Sequence, residues 1–196
     1  SVGGKYRTIV ADPPWEYPEG FASGHGRTVK EGKETYSGKV QTEALPYPSM
    51  TLGKIAALPV ADMAAPCCRL FLRTTNRFLP SSFEIANEWG FAYRQMLVWH
   101  KTDANLPAHV APNSAEFLLV ATKGSPARLE TMPSAVIAAT RYGGPGVKSH
   151  SRKPECFLDY IERVSPGPYV ELFARRARFG WDYWGNESLG TAEMAA

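Results

Sequence analysis

Residues 8–15 read Thr-Ile-Val-Ala-Asp-Pro-Pro-Trp, a short β-prone run that ends abruptly in an acid and two prolines. Because proline fixes φ and lacks a backbone N–H for a sheet ladder, the strand predicted over residues 5–12 has to stop there. The Asp12 carboxylate and a carbonyl beside the prolines can accept two hydrogen bonds from an exocyclic amine, and Trp15 can stack on the ring that carries it. A strand-to-turn joint with a buried tryptophan is the alternative interpretation.

Apolar runs alternate with helical patterns along the rest of the chain. We expect one domain over residues 1–187, long active-site or target loops at residues 16–48 and 101–114, and a frayed tail at residues 188–196. Because the strands are continuous apolar runs, the sequence predicts an α/β fold with a mostly parallel central sheet flanked by helices. The later strands are predicted at residues 68–73, 93–100, 116–122, 135–139 and 169–174.

Three helices are predicted from capping residues and apolar periodicity, and residues 60–65 are expected to form another short helical piece. They begin after Thr51, at Ser81 or Ser82, and at Pro154, whose fixed φ suits a first turn. In the second helix Phe83, Ala86 and Trp89 are expected to face inward, and Gly90 is expected to end the helix.

The composition limits the class of protein. The chain has 196 residues, 44% of them hydrophobic, and no apolar run reaches the roughly 18 residues of a membrane-spanning helix. The odd number of cysteines (Cys67, Cys68 and Cys156) favours a reducing compartment. For a bacterial or phage-encoded protein we expect the cytoplasm, and for a eukaryotic protein the nucleus. Neither the cysteines nor the four histidines have the spacing of a metal site, so no metal is expected.

The net charge of +3 is compatible with an anionic partner, and the basic residues gather in two regions. If they converge in the fold they would form one phosphate-facing surface, and if they do not they are ordinary solvated charges. The first region also carries tyrosines that suit a lid over a nucleic-acid strand. The basic residues are Lys30, Lys33 and Lys39, and Arg141, Lys148, Arg152, Lys153, Arg175, Arg176 and Arg178.

The ends of the predicted strands locate the site. In a doubly wound sheet, ligands bind outside the carboxyl ends of the strands, where Asp12 and Arg175 both lie. Lys153, just before a helix, can direct a cation at a small anion such as a carboxylate. A Glu171–Arg175 ion pair and a solvated Lys153 are the structural alternatives.

Six motifs, in their order and spacing, carry a resemblance to a known family. On them the chain resembles the MT-A70 family of S-adenosylmethionine-dependent adenine-N6 methyltransferases over nearly its whole length, which implies a Rossmann-like methyltransferase fold. The motifs are residues 11–15, 70–76, 150–154, 161–163, 171–175 and 185–187.

The resemblance implies roles for individual residues. Asp12 would hold the target amine and lie near the methionine amino group of the cofactor S-adenosyl-L-methionine, Pro13 and Pro14 would shape the acceptor turn, and Trp15 would flank the adenine. Lys153 would bind the methionine carboxylate of the cofactor. The ribose hydroxyls and the remaining cofactor contacts would fall to Glu171, Phe173, Arg175, Asn186 and Glu187.

Two departures from the family pattern concern the target side. Arg73 stands where the family usually has tryptophan, and between residues 99 and 116 only Asn113 and Glu116 of the usual pattern remain. Candidate contacts to the nucleic acid are Tyr36, Lys39, Tyr47, Arg73, Asn76, Asn113 and Glu116.

DNA is the preferred substrate, with three alternatives left open. They are the same reaction on RNA, a catalytically silent nucleic-acid-binding subunit, and transfer to cytosine N4. The small size leaves no separate target-recognition domain, so short specificity, low specificity, a homodimer or a partner subunit would each fit.

Overall fold

The fold is taken from a computed structural model. It describes residues 4–17, 48–103, 111, 113–140 and 153–185, together with the backbone of residues 26–30 and 33–37.

Seven strands form one sheet, in the order β7-β5-β6-β4-β1-β8-β9. Strand β6 is antiparallel to both of its neighbours, and the other six run in one direction. The predicted α/β fold with a mostly parallel sheet is therefore confirmed. The strands are β1 (Tyr6–Ala11), β2 (Gly26–Lys30), β3 (Lys33–Ser37), β4 (Ala64–Thr74), β5 (Ala92–Lys101), β6 (Ala115–Lys123), β7 (Val136–Ala139), β8 (Tyr169–Leu172) and β9 (Trp181–Trp184).

Within the described residues, four α-helices cover the two faces of the sheet. One face packs against the first three helices through a core that includes Ile9, Leu70 and Trp89. The other face packs against the fourth helix through Phe71 and Phe157, among others. The helices are α1 (Leu52–Ala56), α2 (Val60–Met63), α3 (Leu79–Glu88) and α4 (Cys156–Val164).

The strand β1 lies inside the sheet, between β4 and β8. The connection from β1 to β4 carries α1 and α2 on one face, whereas α4 precedes β8 on the other face. Where connections leave toward opposite faces, a crevice opens at the carboxyl ends of the strands. Here that crevice lies beside Asp12, the residue that follows β1.

The predicted helices form, but two of them begin at other residues than expected, α4 at Cys156 and not at Pro154, and α3 as described below. Thr51 caps α1, its hydroxyl accepting a hydrogen bond from the backbone N–H of Lys54 at 3.3 Å. Helix α3 begins at Leu79, before the predicted serines, because Pro80 takes the first turn and Ser82 instead donates to the carbonyl of Phe78 at 2.7 Å.

One of the three residues expected on the inward face of α3 is not buried. Ile85, Ala86 and Trp89 are buried, but Phe83 is 38% exposed and packs edge-to-face on Tyr93. The expectation for Phe83 was wrong, because the apolar stripe of the helix passes through Ile85 instead. Gly90, at φ 79°, ends the helix as predicted.

The predicted loop over residues 16–48 contains an antiparallel hairpin, β2–β3. Its β-branched and aromatic residues, such as Val29 and Tyr36, favour strands more strongly than its glycines oppose them. Strand β9 was not among the strands predicted from the sequence, and it pairs in parallel with β8. Residues 104–110, 112, 141–152 and 186–196 lie outside the described residues.

Within the described part of the chain, no helix combines the length and apolar character needed to cross a bilayer.

Candidate active site

A cleft opens at the carboxyl ends of β1, β4 and β8 and at the start of α4. It brings together six of the site residues singled out from the sequence: Asp12, Arg73, Lys153, Glu171, Phe173 and Arg175. Its lining consists of Asp12, Arg73, Lys153, Pro154, Leu158, Glu171, Phe173, Arg175 and Arg176.

Strand periodicity explains why charges collect there. Successive side chains of a strand point to opposite faces, so residues two apart share a face. Val10 and Phe71 pack in the α4-side core, and two residues further on Asp12 and Arg73 lie on the same side. We call the charged residues of this region the cleft cluster: Asp12, Arg73, Lys101, Glu116, Lys153 and Glu171.

Lys153 links two acids of the cleft cluster. Its Nζ lies 3.1 Å from Oδ2 of Asp12 and 3.5 Å from Oε2 of Glu116. The other carboxylate oxygen of Glu116 lies 2.6 Å from Nζ of Lys101, a buried lysine at the end of β5. Burial lowers the pKa of Lys153, but Asp12 and Glu116 raise it above its usual value, so the group stays an ammonium.

The pKa of the Glu171 carboxyl group is also raised, which for an acid favours the neutral form. Burial raises the pKa of its carboxyl group, the charge of Asp12 raises it further, and Arg73 opposes both. Glu171 pairs with Val10 of β1 in the sheet, which sets it beside Asp12 at the base of the cleft. It is therefore the acid of the cleft cluster that resists ionisation.

Arg73 is the most deeply buried cation in the cleft lining. It is 5% exposed, and its Nε–H has no hydrogen-bond partner among the described residues. The guanidinium lies over the ring of Phe157, 5.0 Å from the ring centre. This cation–π contact links Arg73 to α4.

The acceptor turn is held by backbone hydrogen bonds. The N–H of Trp15 donates to the carbonyl of Pro13 at 2.9 Å, and the N–H of Met50 donates to the carbonyl of Pro14 at 2.8 Å. Each carbonyl oxygen has a second lone pair for a ligand. The turn is thus ordered by contacts of the protein itself.

Trp15 lies in the core and does not line the cleft. It is 6% exposed and stacks on Phe78 with ring centres 5.2 Å apart. Its indole N–H has no hydrogen-bond partner within the described ranges. This placement matches the interpretation of a buried tryptophan, and a contact between Trp15 and adenine stays a prediction.

The loop after β8 has a constrained backbone. Phe173 has φ 64°, which is uncommon for a residue with a side chain and is often found at functional sites. Its ring packs edge-to-face on Trp184. Ala174 donates to the carbonyl of Trp184 at 3.0 Å and approaches Gly185 so closely that a Cβ there would lie 2.2 Å from the Ala174 carbonyl oxygen.

Part of the predicted basic surface is neutralised by α4. Arg178 forms a bidentate pair with Glu162 at 2.8 and 3.0 Å and bonds Asp159 at 2.7 Å. We call these three residues the outer cluster. Arg176 pairs with Glu155, and Lys153, Arg175 and Arg176 all border the cleft.

The remaining predicted residues do not line the cleft or are not described. Asn76 and Asn113 are exposed, and neither is among the cleft-lining residues. Lys101, by contrast, was missed, although a lysine that continues the inward alternation after Trp99 is a readable signal. The described side chains do not include those of Tyr36, Lys39, Tyr47, Asn186 and Glu187. No group of three potential metal-ligating side chains occurs among the described residues.

Comparisons with known proteins give consistent results. The model of the family described as MT-A70 matches residues 6–187. The type II methyltransferase M.MunI of a Mycoplasma species is 32% identical over 195 residues, which cover 93% of this chain and 78% of that protein.

Two further relatives are named as adenosine methyltransferases. The human N(6)-adenosine-methyltransferase catalytic subunit METTL3 is 27% identical over 97% of this chain, and a putative N(6)-adenosine-methyltransferase MT-A70-like protein of Medicago truncatula is 29% identical over 95%. This chain spans 29% and 27% of their respective lengths.

Proposed function

The chain belongs to the MT-A70 family of adenine-N6 methyltransferases, and from this premise we propose that it uses S-adenosyl-L-methionine to methylate adenine N6 in DNA. The observation that carries the proposal is the position of Asp12. It lies at the tip of β1, on the wall of the cleft, and is followed by a rigid turn.

The residues of the cleft fit S-adenosyl-L-methionine. The buried Nε–H of Arg73 and the ammonium of Lys153 suit a carboxylate, Glu171 suits ribose hydroxyls, and Phe173 offers an aromatic face. Arg175, Asn186 and Glu187 would complete the contacts. When bound, S-adenosyl-L-methionine would supply an electrophilic methyl group.

Asp12 and the turn would act on the amine. The N6 lone pair of adenine is delocalised into the ring and is a poor nucleophile. The Asp12 carboxylate and the free lone pair of a proline carbonyl can each accept one N6 hydrogen, which orients the amine. The rate gain then comes from positioning and charge complementarity, without a covalent enzyme intermediate.

Lys153 would keep Asp12 ready for this task. The ammonium lies 3.1 Å from the carboxylate, and this ion pair would hold the carboxylate oxygens in place at the amine. An adenine inside a duplex is out of reach of the cleft, so duplex DNA would have to present it by base flipping.

We propose DNA before RNA as the substrate because this chain covers much more of the type II methyltransferase than of METTL3. The chain spans 78% of the type II methyltransferase but 29% of METTL3. RNA is the second candidate substrate, because the same cleft chemistry serves adenine in either polymer and the 2′-hydroxyl decides between them.

The test is methyl transfer from labelled S-adenosyl-L-methionine to duplex DNA, single-stranded DNA and RNA in parallel, with the product nucleoside identified by mass spectrometry. We expect N6-methyladenine in DNA. Asp12→Asn should lower turnover by at least about 100-fold, because it replaces an acceptor with a donor at the amine.

The matched control is Asp62→Asn, the same change at an exposed residue of α2, which should keep full turnover. Wild-type-like turnover of Asp12→Asn would refute the role of Asp12. Absence of cofactor binding by calorimetry in the folded wild-type protein would instead support the silent subunit. A homodimer or a partner subunit stays a prediction, which light scattering of the purified chain addresses.

A further inference from the structure

Arg73 is a buried cation in the cleft whose Nε–H lacks a partner among the described residues. Leaving a charged donor buried and unpaired costs free energy, so such a group either has a counter-ion in the protein or awaits one from a ligand. The charges around Arg73 distinguish these two cases.

The acids of the cleft cluster are largely committed elsewhere. Asp12 pairs with Lys153, and Glu116 pairs with both Lys153 and Lys101. Glu171 is the remaining acid; burial raises the pKa of its carboxyl group, and the charge of Arg73 opposes that rise. Lys101 and Lys153 both form ion pairs, so Arg73 is the cation of the cleft cluster that has no ion pair among the described residues.

The form of this cation indicates the ligand. Arginine presents Nε–H and one Nη–H side by side, a pair of parallel donors that matches the two oxygens of a carboxylate. The Nε side is the unpartnered one, and the guanidinium carbon lies 5.0 Å from the ring centre of Phe157. A planar, singly charged oxyanion fits these donors.

We propose that Arg73 binds the carboxylate of the methionine part of S-adenosyl-L-methionine through its Nε edge. Lys153, which the resemblance assigned to this carboxylate, also holds Asp12 and Glu116 and would share the carboxylate with Arg73. This inference rests on the proposed function, because it presumes that the cleft takes this molecule.

Calorimetry with two ligands tests the proposal. The ligands are S-adenosyl-L-methionine and its decarboxylated analogue, which lacks only the carboxylate. Arg73→Met should weaken binding of the first by roughly 10- to 100-fold, the range for a buried charge-assisted contact, and should leave binding of the second unchanged.

Further variants separate binding from folding. Arg73→Lys keeps the charge but loses the parallel donors, so it should recover only part of the affinity for the carboxylate ligand. Arg7→Met makes the same change as Arg73→Met at an exposed residue of β1 and should bind both ligands as the wild type does. Circular dichroism confirms that each variant is folded.

Three outcomes would overturn the proposal. Unchanged affinity of Arg73→Met for S-adenosyl-L-methionine would remove Arg73 from the carboxylate. Equal losses for both ligands would make its role structural. Unchanged cofactor affinity with weaker DNA binding and a reduced salt dependence would assign Arg73 to a phosphate of the nucleic acid. Failure of the wild type to bind either ligand would refute the proposed function itself.

Discussion

Helix α4 contacts two groups of charged residues, the cleft cluster near its start and the outer cluster along its exposed side. In the outer cluster the donors of Arg178 all point at acids, and Glu162 also accepts from the indole N–H of Trp181 at 2.6 Å. In the cleft cluster a buried arginine donor lacks a described partner, and the carboxyl group of Glu171 has a raised pKa. The outer cluster is arranged for stability, whereas the cleft cluster keeps unused binding capacity.

The largest expected effect comes from Lys153→Met. It leaves the carboxylates of Asp12 and Glu116 without their shared cation, and removing one partner of a buried ion pair costs about 3–5 kcal/mol. We expect kcat/KM to fall by at least about 100-fold and the melting temperature to drop.

Lys54→Met, the same change at an exposed lysine of α1, is the control and should behave as the wild type. If Lys153→Met turned over normally, the cleft cluster would not need this cation, and the contrast with the outer cluster would fail.

The second change, Arg178→Met, tests the outer cluster. It should destabilise the protein by about 1 kcal/mol, since Asp159 and Glu162 are partly exposed and solvent screens the pairs. Turnover should stay close to that of the wild type. Thermal melts and the methyl-transfer assay together measure both effects.

The pH dependence of this loss has a defined sign. The bidentate hydrogen bond from Arg178 holds the pKa of Glu162 below its usual value of 4.5. The stability it contributes is therefore present above pH 4.5 and is lost as the pH falls through the lower, folded-state pKa. Melts of the wild type and of Arg178→Met should converge in acid; a difference that persisted there would show that packing, and not charge, is responsible.

Part of the cleft cluster could be predicted from the sequence, because the local chain chemistry determines where some of its residues lie. Two prolines after an apolar run force β1 to end, so the location of Asp12 followed from the chain itself. The family resemblance supplied Lys153, Glu171 and Phe173, and the structure brings all of them to the cleft.

Pairings between distant residues could not be predicted in this way. The contact of Lys153 with Glu116, and that of Glu116 with Lys101, depend on β6 lying between β4 and β5, which no local pattern specifies. The burial of Trp15 was undecided for the same reason, because its partner Phe78 lies in a distant turn. The error at Phe83 had a different origin, a one-position ambiguity in a short amphipathic helix.

The smallest expected effect, Glu171→Gln, is of opposite sign to the others. An acid whose pKa is raised by folding binds more protons in the folded than in the unfolded state, so its presence lowers stability as the pH rises above about 4.5. The glutamine variant lacks this penalty. We therefore expect the ligand-free variant to melt higher than the wild type at neutral pH, with the difference vanishing toward pH 4.

The same substitution should weaken binding of S-adenosyl-L-methionine, because glutamine is a poorer acceptor for ribose hydroxyls than a carboxylate. Glu84→Gln, on the exposed side of α3, provides the matched control for both melting and binding. A variant that gained stability and lost affinity would show that Glu171 is kept for binding at a cost to the fold. A variant that lost stability at neutral pH would place Glu171 with the outer cluster, among the residues whose charges hold the structure together.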